Sequence, residues 1–312
     1  MAKILIQGDK NFSSQFEKLL EKRESIDLNI DKVVDNIIKQ IKKDGDKALI
    51  KLTNKFDKNN VKIISELVVK KNEIDLAFSK INKKVIKSLK HAIKRIKSYH
   101  KKQLPKNNIY RDNDGILLGG IWNPVESVGL YVPGGTAAYP SSLIMNAVPA
   151  IVAGVKRIVM TVPASNGELS DLVLGCAKLL GINEIYKIGG AQAIASLAIG
   201  TKRIKKVSKI VGPGNAYVAT AKKKMFGLVG IDMIAGPSEI LVIADNKNNP
   251  NHIAIDLLSQ AEHDILAQSI LITDDKIFAD KVMASINYFL KKIHRKKNCS
   301  TKLEKIWCGN SM

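Results

Sequence analysis

From residue 115 onward, apolar residues come in short runs closed by Gly or Pro: GLYVPGG (129–135), RIVMTVPAS (157–165), EIYKIGGA (184–191), KIVGPGN (209–215), EILVIAD (239–245) and QSILITD (268–274). Successive runs begin roughly 25 to 30 residues apart, the length of a strand plus a returning helix, so the pattern predicts βαβ units and a largely parallel sheet. Helices are predicted between them over 141–153, 168–180, 191–199, 216–225 and 250–263. Before residue 115 the period is helical. Asp31 is placed to cap DKVVDNIIKQIKK, with Val34, Ile37, Ile38 and Ile41 on one face, and residues 83–102 repeat the pattern through Val85, Leu89, Ile93 and Ile96.

Several predicted strands hand over to their helices through Gly or Pro-Gly turns, which places backbone N–H groups at helix starts along one edge of the sheet, where a ligand would sit. No G-x-G-x-x-G fingerprint is present. The turns VPGG, IGGA and VGPGN either let backbone approach a pyrophosphate or serve simple turn chemistry. Asn215 in GPGNAY fits a helix cap, whereas Gln192 in GGAQAIA has no such structural excuse. Ser238, in IDMIAGPSEIL, precedes a strand, so its hydroxyl either points to a pocket or closes a turn.

Composition narrows the class. At 312 residues and 45% hydrophobic, the chain has room for two domains. The formal charge of +21 raises nucleic acid as a partner. However, the excess is nearly all Lys, scattered through the helical N-terminal part, and the 5% of aromatic residues do not interleave with it as stacking platforms. A solvated Lys-rich surface is the better account, and nucleic acid is not the expected partner. The uncharged stretch between Glu126 and Lys156 is broken by Pro133, Pro140, Pro149 and Gly134-Gly135, so no membrane span is expected. The three cysteines, Cys176, Cys299 and Cys308, fit neither a disulfide framework nor a zinc knuckle, which makes a reducing cytoplasm the expected location.

In LLSQAEHDILAQS (257–269), polar residues crowd the middle of an apolar helical pattern. Gln260 and His263 stand three apart and share a helix face, and both offer a neutral donor atom to a metal such as Zn²⁺. The competing reading is a helix C-terminus, where His263 favours the negative end of the dipole. Cys176, in LVLGCAKLLG, sits in an apolar helical stripe and reads as a packing residue before a nucleophile.

Taken together, DGDKALIKLTNKFD (44–57), VGLYVPGG, IGGAQAIASLA, KIVGPGNAYVATAK, IDMIAGPSEILVIAD and DLLSQAEHDILAQS resemble histidinol dehydrogenase, in its order and approximate spacing, from about residue 30 to 273. The resemblance implies an NAD-linked, Zn²⁺-dependent enzyme of histidine biosynthesis that oxidises L-histidinol through the aldehyde to L-histidine. It also implies a homodimer of α/β subunits. Each subunit has two Rossmann-like, incomplete dinucleotide-binding domains with mainly parallel sheets, one inserted in the other, plus a helical N-terminal segment. On this sequence the expected boundaries are a helical arm at 1–29, a discontinuous domain of 30–129 plus 238–312, and an inserted domain at 130–237. Tyr131, Gln192 and Asn215 match the NAD-contacting positions, Ser238 a substrate contact, and Gln260 and His263 both zinc ligation and substrate contact.

The sequence also departs from the family. The resemblance calls for a later Pro-Glu-His segment carrying the acid/base pair, yet the one Glu-His pair here is Glu262-His263, in the earlier motif. No catalytic acid or base is therefore assigned, and the expectation is a C-terminally truncated member that is inactive or impaired by itself. Two competitors remain open: a basic α/β protein that has lost catalysis and binds nucleic acid through Lys-rich helices, and an aldehyde dehydrogenase relative working through Cys176.

Overall fold

The chain opens on strand β1 (Lys3–Ile6) and helix α1 (Phe12–Glu24). Four helices follow, α2 (Leu28–Asp44), α3 (Asp46–Asp57), α4 (Lys71–Ser79) and α5 (Lys83–Lys101). An antiparallel hairpin of β2 (Asn108–Arg111) and β3 (Leu117–Gly120) leads into an alternating series. That series runs β4 (Ser127–Tyr131), α6 (Pro140–Ala153), β5 (Arg157–Thr161), α7 (Asp171–Leu179), β6 (Glu184–Tyr186), α8 (Gly190–Ile199), β7 (Lys209–Val211), α9 (Ala216–Met225) and β8 (Gly230–Ile231). The last elements are β9 (Glu239–Ile243), α10 (Pro250–Ala261), β10 (Gln268–Thr273), α11 (Lys276–Leu290) and β11 (Lys305–Cys308). This computed structural model describes residues 3–24, 28–134, 139–234, 236, 238–261, 267–292 and 305–308. Among them, no helix is long and apolar enough to cross a membrane.

Residues 27–235 form one compact unit, inserted between the two pieces of the other, 1–26 and 236–312. In the inserted unit five parallel strands lie in the order β6-β5-β4-β7-β8. The central β4 is buried at all five positions, as a strand covered on both faces must be. On one face Val34, Ile37 and Ile41 of α2 join Leu49 of α3, Leu197 of α8 and Val218 of α9. On the other, Ile74 of α4 and Leu89 of α5 pack with Leu143 of α6 and Leu174 of α7. The sheet is thus doubly wound: the chain steps outward from β4 to β6, crosses back through α8, and steps the other way from β7 to β8.

The other unit holds a parallel sheet in the order β1-β11-β10-β9. Leu257 and Leu258 of α10 and Phe278, Val282 and Ile286 of α11 pack on Leu271 of β10. Along β9, Ile240 and Val242 turn to this core while Leu241 and Ile243 are exposed.

All six apolar runs form strands and the five helices between them are present, α10 being described as far as Ala261. The helix expected from residue 168 begins at Asp171, because a short turn at Ser165–Gly167 occupies the approach. The expected partition differs at 30–129. Those residues were expected to join 238–312, but the apolar stripes of α2 and α5 close the two faces of the inserted unit's sheet. The N-terminal arm carries the strand β1 as well as a helix.

Candidate functional site

The strand order reverses between β4 and β7, and in an open parallel sheet the crevice for a ligand lies beyond the carboxyl ends of the strands at that reversal. Three Gly-bearing turns meet there, following β4, β6 and β7. Two of them are pressed together. Gly212 has φ +123°, and a Cβ on it would stand 2.1 Å from the Tyr131 carbonyl oxygen, so no other residue fits.

The start of α8 is closed by side chains of the fold itself. Gly189 N–H donates to Asp57 Oδ2 at 3.3 Å, and Gly190 N–H donates to the Tyr131 hydroxyl oxygen at 3.1 Å. These two amides are therefore not the free anion cradle that the turn pattern suggested, because a carboxylate already satisfies the positive end of the helix dipole. Burial raises the pKa of Asp57, opposed by the Gly189 hydrogen bond. Burial also pushes the Tyr131 phenol up to about 12; the Gly190 hydrogen bond works against this shift and the nearby Asp57 charge adds to it.

Of the expected NAD-contacting residues, Gln192 carries the most telling feature. It is 1% exposed, the third residue of α8, and among the described residues its Nε2 has no hydrogen-bond partner. Leaving a buried amide donor unmet costs about 1–3 kcal/mol, so such a group points to a ligand. Asn215 caps α9, its Oδ1 accepting from Val218 N–H at 3.2 Å, so the capping chemistry read from sequence is present. Beneath this turn Lys222 Nζ donates to the Gly212 carbonyl at 3.0 Å and pairs with the Asp232 carboxylate, which also accepts from Gly212 N–H at 2.8 Å. Lys222 is buried, and a buried cation on one helix is thereby tied to both peptide groups of Gly212.

In the other unit Ser238 is exposed, and its carbonyl accepts from Gln268 N–H at 2.9 Å where β9 and β10 begin. Gln260 lies half-buried in the last turn of α10, and His263 lies outside the described residues. Among the described residues no three His, Cys, Asp or Glu side chains gather as a metal site. The donor set for zinc is thus not assembled by the residues described. Cys176 is fully buried, its Sγ 3.9 Å from the Pro140 carbonyl, and burial pushes its thiol up to about 12, as befits a packing residue.

Sequence reasoning missed Asp57, Lys222, Asp232 and Gln268. Gln268 is buried and, among the described residues, neither of its amide atoms has a partner. Its one signal was membership of the polar cluster around Gln260. Acidic residues of the N-terminal helices hold lysines of the sheet unit: Asp31 and Asp35 of α2 pair with Lys224 at 2.8 and 2.9 Å, and Glu73 of α4 with Lys187 at 2.6 Å.

Residues 20–310 match the family model described as histidinol dehydrogenase. The histidinol dehydrogenase of Brucella abortus is 49% identical over 300 residues, covering 96% of this chain and 70% of that protein. That of Rhodospirillum rubrum is 52% identical over 285 residues, covering 91% and 65%. The crystal structure of histidinol dehydrogenase from Elizabethkingia anophelis superposes with a TM-score of 0.84 at 35% identity, over 99% of this chain and 71% of the other.

Proposed function

Because this chain belongs to the histidinol dehydrogenase family, we infer that it binds NAD beyond the carboxyl ends of β4, β6 and β7 and serves the oxidation of L-histidinol to L-histidine. The observation that carries the placement is Gln192, a buried amide with an unmet donor at the reversal point of a doubly wound sheet. Bound there, NAD supplies the hydride acceptor. The chain's own residues hold the cleft ready for it. Tyr131, kept neutral by burial, fixes the Gly190 turn; Asn215 fixes the start of α9; and Gln192 offers its N–H. Ser238, Gln260 and His263 are assigned to substrate and, for the last two, zinc, on the family resemblance alone.

We read the chain as a cytoplasmic homodimer. Thermal unfolding with NAD tests the assignment. NAD should raise the Tm of the chain, and Gln192→Leu should abolish that shift while leaving the protein folded. No stabilisation by NAD at saturating concentration would overturn the reading, as would an unchanged shift in the variant.

A further inference from the structure

Apart from Asp112, every residue from 101 to 126 is exposed, the longest such run among the described residues. The centre of this segment is the β2–β3 hairpin, and it is strongly apolar. Ile109, Tyr110, Leu117, Leu118, Ile121 and Trp122 all face water, the last two at 66% each. Both faces are affected, since Ile109 and Leu117 lie on one and Tyr110 and Leu118 on the other by the register of the pair. A two-stranded ribbon alone is marginal in water, and exposed apolar patches of this kind mark an interaction surface.

We propose that this hairpin is the arm by which two copies of the chain pair, β3 lying antiparallel against β3 of the second copy about a two-fold axis. The proposal rests on the reading of the protein as a dimer and names the surface that makes it. Three observations select a second copy as the occupant. First, among the described residues each strand of the ribbon has one unpaired edge, and β3, LLGG, carries none of the Lys, Pro or bulge that blunts an open edge. Gly120 has open space where a Cβ would stand, so another backbone can approach there.

Second, the charges are self-complementary. Residues 115–125 carry no charge at all on a chain of +21, so copies do not repel at this patch. At the tip Asp112 and Asp114 outweigh Arg111, and at the base Lys101, Lys102 and Lys106 outweigh Glu126, so the tip is net negative and the base net positive. Antiparallel pairing of β3 with β3 sets each acidic tip against the other copy's basic base, as an isologous contact requires. Third, the size fits. The exposed side chains amount to on the order of 500 Å² of apolar surface per copy, the apolar share of a standard interface of about 800 Å² per partner.

Light scattering on the purified chain tests this, alongside circular dichroism and thermal unfolding. The parent should be a dimer at micromolar concentration. Leu118→Asp should be a monomer with the parent's spectrum, and Asp114→Lys should raise the dimer Kd about tenfold, which Lys106→Asp added to it should restore. A monomeric parent would refute both the dimer reading and the arm. A dimeric parent left dimeric by Leu118→Asp and unmoved by Asp114→Lys would refute the arm alone. If Leu118→Asp fails to fold, the charge exchange decides by itself.

Discussion

Replacing Lys222 with Met keeps the methylene stem of a buried side chain and removes its cation. The amine donates to the Gly212 carbonyl and pairs with Asp232, so two interactions are lost, one of them charged. A hydrogen bond to a charged group contributes about 1.5–3 kcal/mol, and breaking a fully buried pair costs about 3–5 kcal/mol. Asp232 softens the loss, because it keeps the N–H groups of Gly212 and Met233 at 2.8 and 2.7 Å and retains 28% exposure. The expected destabilisation is therefore about 2–3 kcal/mol, below the fully buried limit. In a unit of this size that lowers Tm by roughly 4–12 °C. NAD affinity should fall as well, because the freed Gly212 peptide no longer fixes the turn leading to Asn215. Thermal unfolding of Lys222→Met, Asp232→Asn and the double variant gives the coupling free energy. Coupling within about 0.5 kcal/mol of zero would show that the pair does not hold the turn, and the argument from burial would fail.

Gly212→Ala should cost about 3 kcal/mol or more, because its Cβ would stand 2.1 Å from the Tyr131 carbonyl oxygen, whereas Gly227→Ala, also at positive φ but in open space, should cost only about 1 kcal/mol; equal losses in Tm would refute the claimed contact. Asp57 has a raised pKa in the native state, so the stability it contributes is present below its ordinary value of 3.8 and is lost as pH rises through its native value. Asp57→Asn should therefore gain on the parent as pH climbs out of the acid range, and a flat or falling difference in unfolding free energy would contradict the burial argument. Cys176→Ala should lose about 1 kcal/mol of stability and no NAD affinity, and the native thiol should resist alkylation until the protein unfolds; rapid labelling of the folded chain would contradict its burial.

The parallel strands were legible because strands buried on both faces read as continuous apolar runs, and the Gly and Pro at their ends mark where each must turn. The β2–β3 hairpin escaped because neither of its faces is buried, so no alternation of inside and outside was written into it. Strand β8, two residues long, is shorter than any periodicity can register. Helix α11 was readable in principle. Asp275 caps it, accepting from Phe278 N–H at 3.0 Å, and Phe278, Val282 and Ile286 recur at helical spacing, but they stand beyond residue 273, where the motifs that carried the resemblance end.

The candidate site shows the same division at the level of single groups. Asn215 could be identified as a cap because its partner lies three residues away, and Gln192 could be identified as unexplained because an amide at a helix start that is not the cap has no such role. The groups that hold the turns are another matter. Asp57 meets Gly189 across 132 residues of sequence, and Tyr131 meets Gly190 across 59, so the sheet has to form before these contacts exist. Each of the two turns at α8 and α9 is locked by a group from another element: Asp57 and Tyr131 at the first, Asp232 at the second. A cleft whose glycine turns are fixed before any ligand arrives loses little entropy on binding, which is how short, flexible sequences such as IGGA and GPGN can form a specific surface. Within this locked frame the Gln192 Nε2 donor is left without a partner among the described residues, and ligand contact there has a hydrogen bond to gain.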